Sequence, residues 1–480
     1  NSFLARGFCA LISKNNVSGR RGERLAKAMI EAGPSFVKIG QSLSTRPDLL
    51  GIKLAKDLSI LRDQIPAFSG QQAKQVIEKE MGKNIDQVFL SFDDVPIAAA
   101  SVAQVHYAVS LEKQKVAVKV LRPNISNAFQ SNINLLYWVA NLAERIKPNL
   151  RRFKLKKVIK VIEDTVNIEM DLRLEAAAAT ELENNFIKYN DFIVPKINWN
   201  LTTQRMMTTE RLVGIPIDDR DAIIRAGLCP KAILRKLTNI ACKQVFDHGF
   251  FHADAHPGNI FVTKSGSIGA VDFGIMGRLN GKTRHYLASI LMAFLNRDYA
   301  LAAELHFSAN WVSKEHSVAQ FAQACRAIAE PIMDRPLQSI SVARLLAQLF
   351  KISKMFDMET QTQLILLQKT LIVAEGTARQ LDPNTNSWSL IRPFMEDWVW
   401  KESNEGISIN KTLDNIYEIV ENLPKLVENL KENSVCTKSQ SVKLDPDTIQ
   451  TIKGEEKFSS SLPITSTIIG LLILAYLSIH

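Results

Sequence analysis

A chain of 480 residues has room for about three units of roughly 150 residues each. Apolar residues make up 46% and charged residues 22%, which fits a globular protein with a large core. Aromatics at 7% offer no evident stacking platform for single-stranded nucleic acid, and a net charge of +10 suits nucleic acid, an anionic membrane face or phosphorylated ligands without choosing among them.

In chain order, residues 1–87 read as a helical extension. "GERLAKAMIEAGPSFVKIGQSLSTRPDLL" has apolar residues at helical spacing, broken at Gly33-Pro34 and again at Pro47. The spacing predicts a further helix over 70–81 that ends near Gly82. From Val88 to 215, short Val- and Ala-rich runs alternate with polar turns, which suits a small strand-based lobe with a helical insertion over 124–190. The insertion carries a basic run, "RIKPNLRRFKLKKVIK". A solvated helix face is its ordinary reading; contact with acidic lipid headgroups is the alternative. Strands and a turn are expected over 192–218, a helix over 232–248, a loop over 250–260 and short strands at "IFV" and "IGAVDF". Residues 216–402 form a larger lobe that is helical from about Gly281.

Residues 403–461 read as an amphipathic helix and a polar linker. Leu413, Ile416, Val420, Leu423, Val427 and Leu430 form a seam kinked at Pro424. The stretch 462–480 contains "LPITSTIIGLLILAYLSI", which has no charge and spans about 27 Å as a helix, close to a hydrocarbon core of about 30 Å. It is expected to be a transmembrane anchor, single-pass or the first helix of a double-pass hairpin if the chain continues beyond His480. Cys9, Cys229, Cys242, Cys325 and Cys436 are scattered, with no CxxC pair, which leaves no zinc ribbon or thioredoxin-type motif and points to a reducing compartment. The chain starts at Asn1 rather than Met, so an upstream segment is expected and the lack of a signal peptide means little.

The strongest chemical signal is "FFHADAHPGNIFV" followed by "AVDFG". Asp254, Asn259 and Asp272 reproduce the spacing of a kinase catalytic-loop Asp, its Asn and a DFG Asp. Phosphoryl transfer needs metal ions held across the phosphates and a carboxylate near the attacking oxygen, and this set supplies both. A metal-hydrolase reading, with His252, Asp254 and His256 as ligands, leaves Asn259 and the DFG without a task. Lys119 in "VAVK" matches the strand lysine that contacts the α- and β-phosphates. Where a glycine-rich loop would lie stand Ala98, Ala99, Ala100, Ser101 and Val102. Alanine keeps the small size but forbids much of the backbone range open to glycine, so this loop is expected to cover a nucleotide more rigidly and with altered selectivity. Taken alone, the alanines also suit a plain buried strand.

With these residues in hand, the chain resembles the UbiB/ADCK family of atypical kinase-like ATPases over roughly residues 20–400. The resemblance rests on the KxGQ motif (Lys38, Gly40, Gln41), the AAAS loop, Lys119, the ExD motif (Glu169, Asp171), "HADAHPGN" and "DFG". "ERLVGIPI", "FLNRDY" and "LLQKTLIVAEGTARQLDP" are similar to it as well. It implies an α+β, protein-kinase-like two-lobe fold, with the KxGQ helix across the cleft where a protein substrate would bind and Glu169 and Asp171 meeting it there. It implies Glu175 as helix partner of Lys119 and Asp254 as a base or water-orienting carboxylate. Asn259 and Asp272 would hold magnesium, and the adenine edge of ATP or ADP would lie along Thr209, Glu210 and Leu212. The family usually has Met-Glu where this chain has Thr209-Glu210, so that wall is expected to differ.

No APE follows the DFG, so there is no long activation segment to seat a peptide. The resemblance therefore implies a magnesium-dependent ATPase or atypical kinase supporting ubiquinone biosynthesis. Its expected partners are membrane lipids, including ubiquinone precursors, and other enzymes of that synthesis, with no nucleic acid. The expected location is a bacterial inner membrane with the body on the cytoplasmic side, or a mitochondrial inner membrane in a eukaryote. The competing readings are a small-molecule kinase of the aminoglycoside or choline type, which has no use for KxGQ and ExD, and a non-catalytic, nucleotide-dependent lipid-binding regulator. A hydroxylase has no support, since neither GxGxxG nor an iron triad is present.

Overall fold

The computed structural model describes residues 20–44, 54, 57–62, 67–146, 155–333, 348, 351–358 and 362–404. Helix α1 (Arg21–Ala32) gives way to α2 (Pro34–Ser44) at Gly33, whose φ of +106° is a region that favours glycine. Pro34 then opens α2, where a missing N–H costs nothing. Helix α3 (Gly70–Met81) starts at a capping box between Ser69 and Gln72 and stops at Gly82 in the left-handed conformation, as its sequence predicts.

Next come β1 (Phe89–Phe92), β2 (Ala98–Ala99), β3 (Ala103–Ser110) and β4 (Lys115–Leu121). Three helices follow: α4 (Ile125–Ile146), α5 (Leu155–Glu169) and α6 (Leu172–Phe186). After β5 (Phe192–Ile193), β6 (Met206–Glu210) completes an antiparallel sheet in the order β1-β3-β4-β6, with β2 on β3. Along β4 the side chains alternate. Val116, Val118 and Val120 pack with Val76, Ile77 and Phe89 on one face, which leaves Ala117 and Lys119 on the other. The core beneath the second face joins Ile39 of α2, Phe129 and Ile133 of α4, Val166 of α5, and Leu172 and Ala176 of α6 to Met207 of β6. The helical extension is thus packed into the same core as the helix that faces Lys119.

The second lobe holds β7 (Ile215–Pro216), α7 (Arg220–Arg225), α8 (Pro230–Cys242), β8 (Phe250–His252), β9 (Ile260–Val262), β10 (Ile268–Ala270) and β11 (Met276–Arg278). Its strands pair as β5-β10-β9-β7, with β8 and β11 as a separate antiparallel pair. The chain therefore joins the second sheet at β5, returns to the first for β6 and leaves it again at β7. Helices α9 (Gly281–Leu295), α10 (Tyr299–Ser308), α11 (Val318–Ala329), α12 (Thr362–Leu381) and α13 (Ser387–Asn404) follow.

Among the described residues no helix is long and apolar enough to cross a membrane. The apolar segment 462–480, the linker 433–461, the seam over 413–430, Pro47 and residues 147–154 of the basic run lie outside the described residues.

Candidate active site

Strand alternation brings Lys119 into the cleft, and α6 brings Glu175 to meet it. Asp171 caps α6 by accepting from Arg173 N, and Glu175 follows in the first turn. Lys119 Nζ lies 2.8 and 2.9 Å from the two Glu175 carboxylate oxygens and 3.0 Å from Asp272 Oδ1. Asp272 itself sits at φ +61°, a left-handed conformation that Asp tolerates better than most residues. Burial alone would lower the Lys119 pKa, but Asp272 and Glu175 hold it well above the ordinary lysine range. At Asp272 the Lys119 charge outweighs desolvation and pulls the carboxyl below its usual range. At Glu175 burial outweighs Lys119 and pushes the carboxyl up. We take the Lys119–Glu175 pair as charged, because Nζ contacts both carboxylate oxygens. Two carboxylates on one ammonium leave a negative charge that suits a cation.

The loop over 252–259 is built on backbone contacts. His252 is 2% exposed, and both of its ring nitrogens are engaged. Nδ1 accepts from Asp254 N at 3.1 Å, which fixes the other nitrogen as the donor to Val271 O, also at 3.1 Å. Burial lowers its pKa, so the imidazole is neutral in this role. His252 N donates to Gln244 Oε1 at 2.9 Å, and Gln244 lies in a π-helical turn over Lys243–Asp247 that extends α8. His256 caps the turn Pro257–Asn259 by accepting from Gly258 N. The two histidines of the HxDxH stretch therefore hold the loop together. Among the described residues no group of three or more His, Cys, Asp or Glu could hold a metal ion.

Asn259 donates from Nδ2 to the Asp254 carbonyl at 3.2 Å, leaving its amide oxygen as the group able to bind a cation. With the Asp272 side chain 47% exposed, this is a sparse set of oxygen donors. Magnesium, which keeps most of its waters and takes one or two protein oxygens beside phosphate, fits such a set. A second cation faces the loop: Lys369 Nζ of α12 lies 2.7 Å from Asp254 Oδ1.

At the mouth, β2 turns back onto β3 and leaves Ala98, Ala99 and Ala100 exposed, while Ser101 and Val102 are buried. The alanines thus lie at the surface, Ala98 and Ala99 in the short strand β2, rather than in a buried strand. Ser101 Oγ donates to Gln41 Oε1 at 3.0 Å, and the Ala100 carbonyl accepts from Arg122 Nε and Nη2 at 3.3 and 3.0 Å. The helical extension and Arg122 therefore clamp this loop. Lys38 pairs with Glu169, both largely buried, and its charge also lowers the Asp272 pKa. Asp171, by contrast, makes its side-chain ion pair with Arg173. Gly40 has a packing role, since a Cβ there would meet Leu61 Cδ1 at 2.3 Å and Met29 Sδ at 2.6 Å. Thr209 and Glu210 lie in the backbone ladder opposite Ala117 and Val116, with Glu210 N donating to Lys196 O. Leu212 lies over Gly269 of β10.

Sequence reasoning missed three residues that the structure brings to this site. Arg122 and Gln244 act on backbone, which carries no spacing signature. Lys369 meets a partner 115 positions away, and its one local cue is a charge inside the apolar run "LLQKTLIV".

A family profile described as the ABC1 atypical kinase-like domain matches residues 60–306, and one described as the UbiB helical domain matches 325–386. Several curated relatives carry the name "Probable protein kinase UbiB". The one from Marinobacter nauticus is 43% identical over 385 residues, covering 79% of this chain and 70% of the relative. The one from Azotobacter vinelandii is 40% identical over 408 residues, covering 84% and 75%. The one from Pseudomonas aeruginosa is 41% identical over 408 residues, covering 84% and 76%. A solved structure titled "The complex structure of Rv3197-erythromycin from Mycobacterium tuberculosis" has a similar fold. Its TM-score is 0.52 at 22% identity, covering 74% of this chain and 90% of that one.

Proposed function

The chain belongs to the ABC1 atypical kinase-like family, among relatives named Probable protein kinase UbiB, and from that premise we propose that it is a membrane-anchored, magnesium-dependent ATPase or atypical kinase supporting ubiquinone biosynthesis. The observation that carries this reading is the Lys119–Glu175–Asp272 cluster in a cleft whose Asp254 loop is rigidly held. Lys119, oriented by Glu175, would meet the α- and β-phosphates of ATP, and Ala98 to Val102 would cover them. The adenine edge would lie along Thr209, Glu210 and Leu212. Asn259 and Asp272 would hold magnesium, which supplies charge neutralisation across the β- and γ-phosphates. Asp254 would orient the attacking oxygen.

The Ser101–Gln41 contact and the Lys38–Glu169 pair support a helical extension lying over the cleft, which favours a small acceptor or water over a protein chain. Lipid precursors or partner biosynthetic enzymes would be the targets. The apolar segment 462–480 would anchor the body to the cytoplasmic side of a bacterial inner membrane, or to a mitochondrial inner membrane in a eukaryote.

Equilibrium binding of ATP and ADP, with magnesium and with chelator, tests the site. Wild type should bind in a magnesium-dependent way, and Asp272→Asn should lose that dependence. Nucleotide affinity indifferent to both magnesium and Asp272→Asn would remove the reading.

A further inference from the structure

Lys369 and Asp254 form an ion pair at 2.7 Å whose side chains are only 17% and 26% exposed. Lys369 comes from the segment matched as a separate helical domain, 325–386, whereas Asp254 lies in the kinase-like segment, 60–306. The contact therefore joins two matched segments at the carboxylate that would orient the attacking oxygen. Nor is Lys369 on a loose arm. Leu364, Leu366 and Leu367 of the same helix pack with Val245 and Phe246 of the π-helical turn and with Phe251, next to His252. The helix is thus seated on the same apolar core as Phe251 of β8.

Electrostatics give this lysine a purpose. A carboxylate facing an incoming γ-phosphate repels it, and water-poor surroundings strengthen the repulsion. Phosphoryl transfer spreads negative charge over three oxygens, so a cation on the attack side is valuable. The loop "HADAHPGN" contains no Lys or Arg of its own. Lys119 is held by Glu175 and Asp272, and Lys38 by Glu169. Lys369 Nζ touches Asp254 Oδ1 directly.

We infer that Lys369 is a positioning residue of the attack-side carboxylate, its ammonium holding Asp254 Oδ1 in place and offsetting its charge against the approaching phosphate. The helical domain would thereby complete the active site from outside the kinase-like body. This rests on the nucleotide reading above.

The test is steady-state ATP turnover by the full chain, comparing wild type with Lys369→Met, Lys369→Gln and Lys369→Arg, with melting temperatures recorded alongside. The expected result is a fall in kcat of about 10²-fold for the Met and Gln variants. KM for ATP should stay within about threefold, and Arg should recover most of the lost kcat. Undiminished kcat in a folded Met or Gln variant would overturn the inference while leaving the nucleotide reading intact. So would a loss confined to KM, or an Arg variant no better than Met. If neither neutral variant folds while Arg does, the pair is structural and the inference fails. A wild type without turnover would remove the inference and the catalytic reading together.

Discussion

His252 shows how much of a catalytic loop is scaffold. Its letter suggests a ligand or a base, yet its ring nitrogens are spent on the backbone of Asp254 and Val271. Burial also lowers the pKa of His106, His248 and His306. Each of these four histidines binds protons more readily unfolded than folded. Their contribution is therefore fully present above pH 6.5 and is lost progressively as pH falls from there through the lower folded values. Glu175 and Glu375, whose pKa values burial raises, oppose the trend but are fewer. Denaturant titrations at pH 7.5 and 5.5 should show lower stability at 5.5, with at most about 1.4 kcal/mol per pH unit from each histidine. Greater stability at 5.5 would show that these imidazoles do not set the balance. At this scale Lys119, Asp254, Asn259 and Asp272 were legible because their spacing is part of the chemistry. Asp171 was only half legible: its letter marks the family motif, but its observed work is to cap α6 and pair with Arg173.

The elements were legible where one period dominates. Helix α3 and strand β4 follow their apolar spacing closely, and the alternation along β4 alone sets Lys119 on the face opposite the valines. Periodicity fails at the π-helical turn Lys243–Asp247, which was read as the end of an ordinary helix over 232–248. One altered turn barely changes the apolar pattern, although it carries Gln244 under the catalytic strand. The strands expected over 192–218 are present as β5, β6 and β7, although β5 and β7 are each only two residues long. Close approach is equally hidden in sequence. Gly277 of β11 faces the Phe251 ring so tightly that a Cβ would lie 2.1 Å from its edge. Phe251 is fully buried beside the catalytic loop and has no room to yield. Gly277→Ala should therefore cost about 1–3 kcal/mol, read as a fall in the denaturant midpoint. An unchanged midpoint would mean that the β8–β11 pair gives way more easily than its packing indicates.

At the scale of the molecule, the two lobes and the meeting of Lys119 with Glu175 follow from the kinase-like family that the motifs mark, and not from their spacing alone. The path between lobes was not readable, since nothing in the letters marks β5 as a member of the second sheet while β6 returns to the first. The union of the kinase-like body with the helical segment, made through Lys369 and Asp254, was hidden for the same reason: pairing across 115 positions leaves no periodic trace. The account as a whole depends on what the cleft does with ATP. The measurement that decides this follows γ-labelled ATP incubated with the purified full chain and magnesium, with and without anionic vesicles carrying a phenolic quinone-precursor mimic. Label released as phosphate or transferred to the vesicle lipid, faster with vesicles and absent in Asp272→Asn, is the predicted result. Label left on intact ATP under all conditions, or transferred to a soluble alcohol with no effect of vesicles, would contradict it.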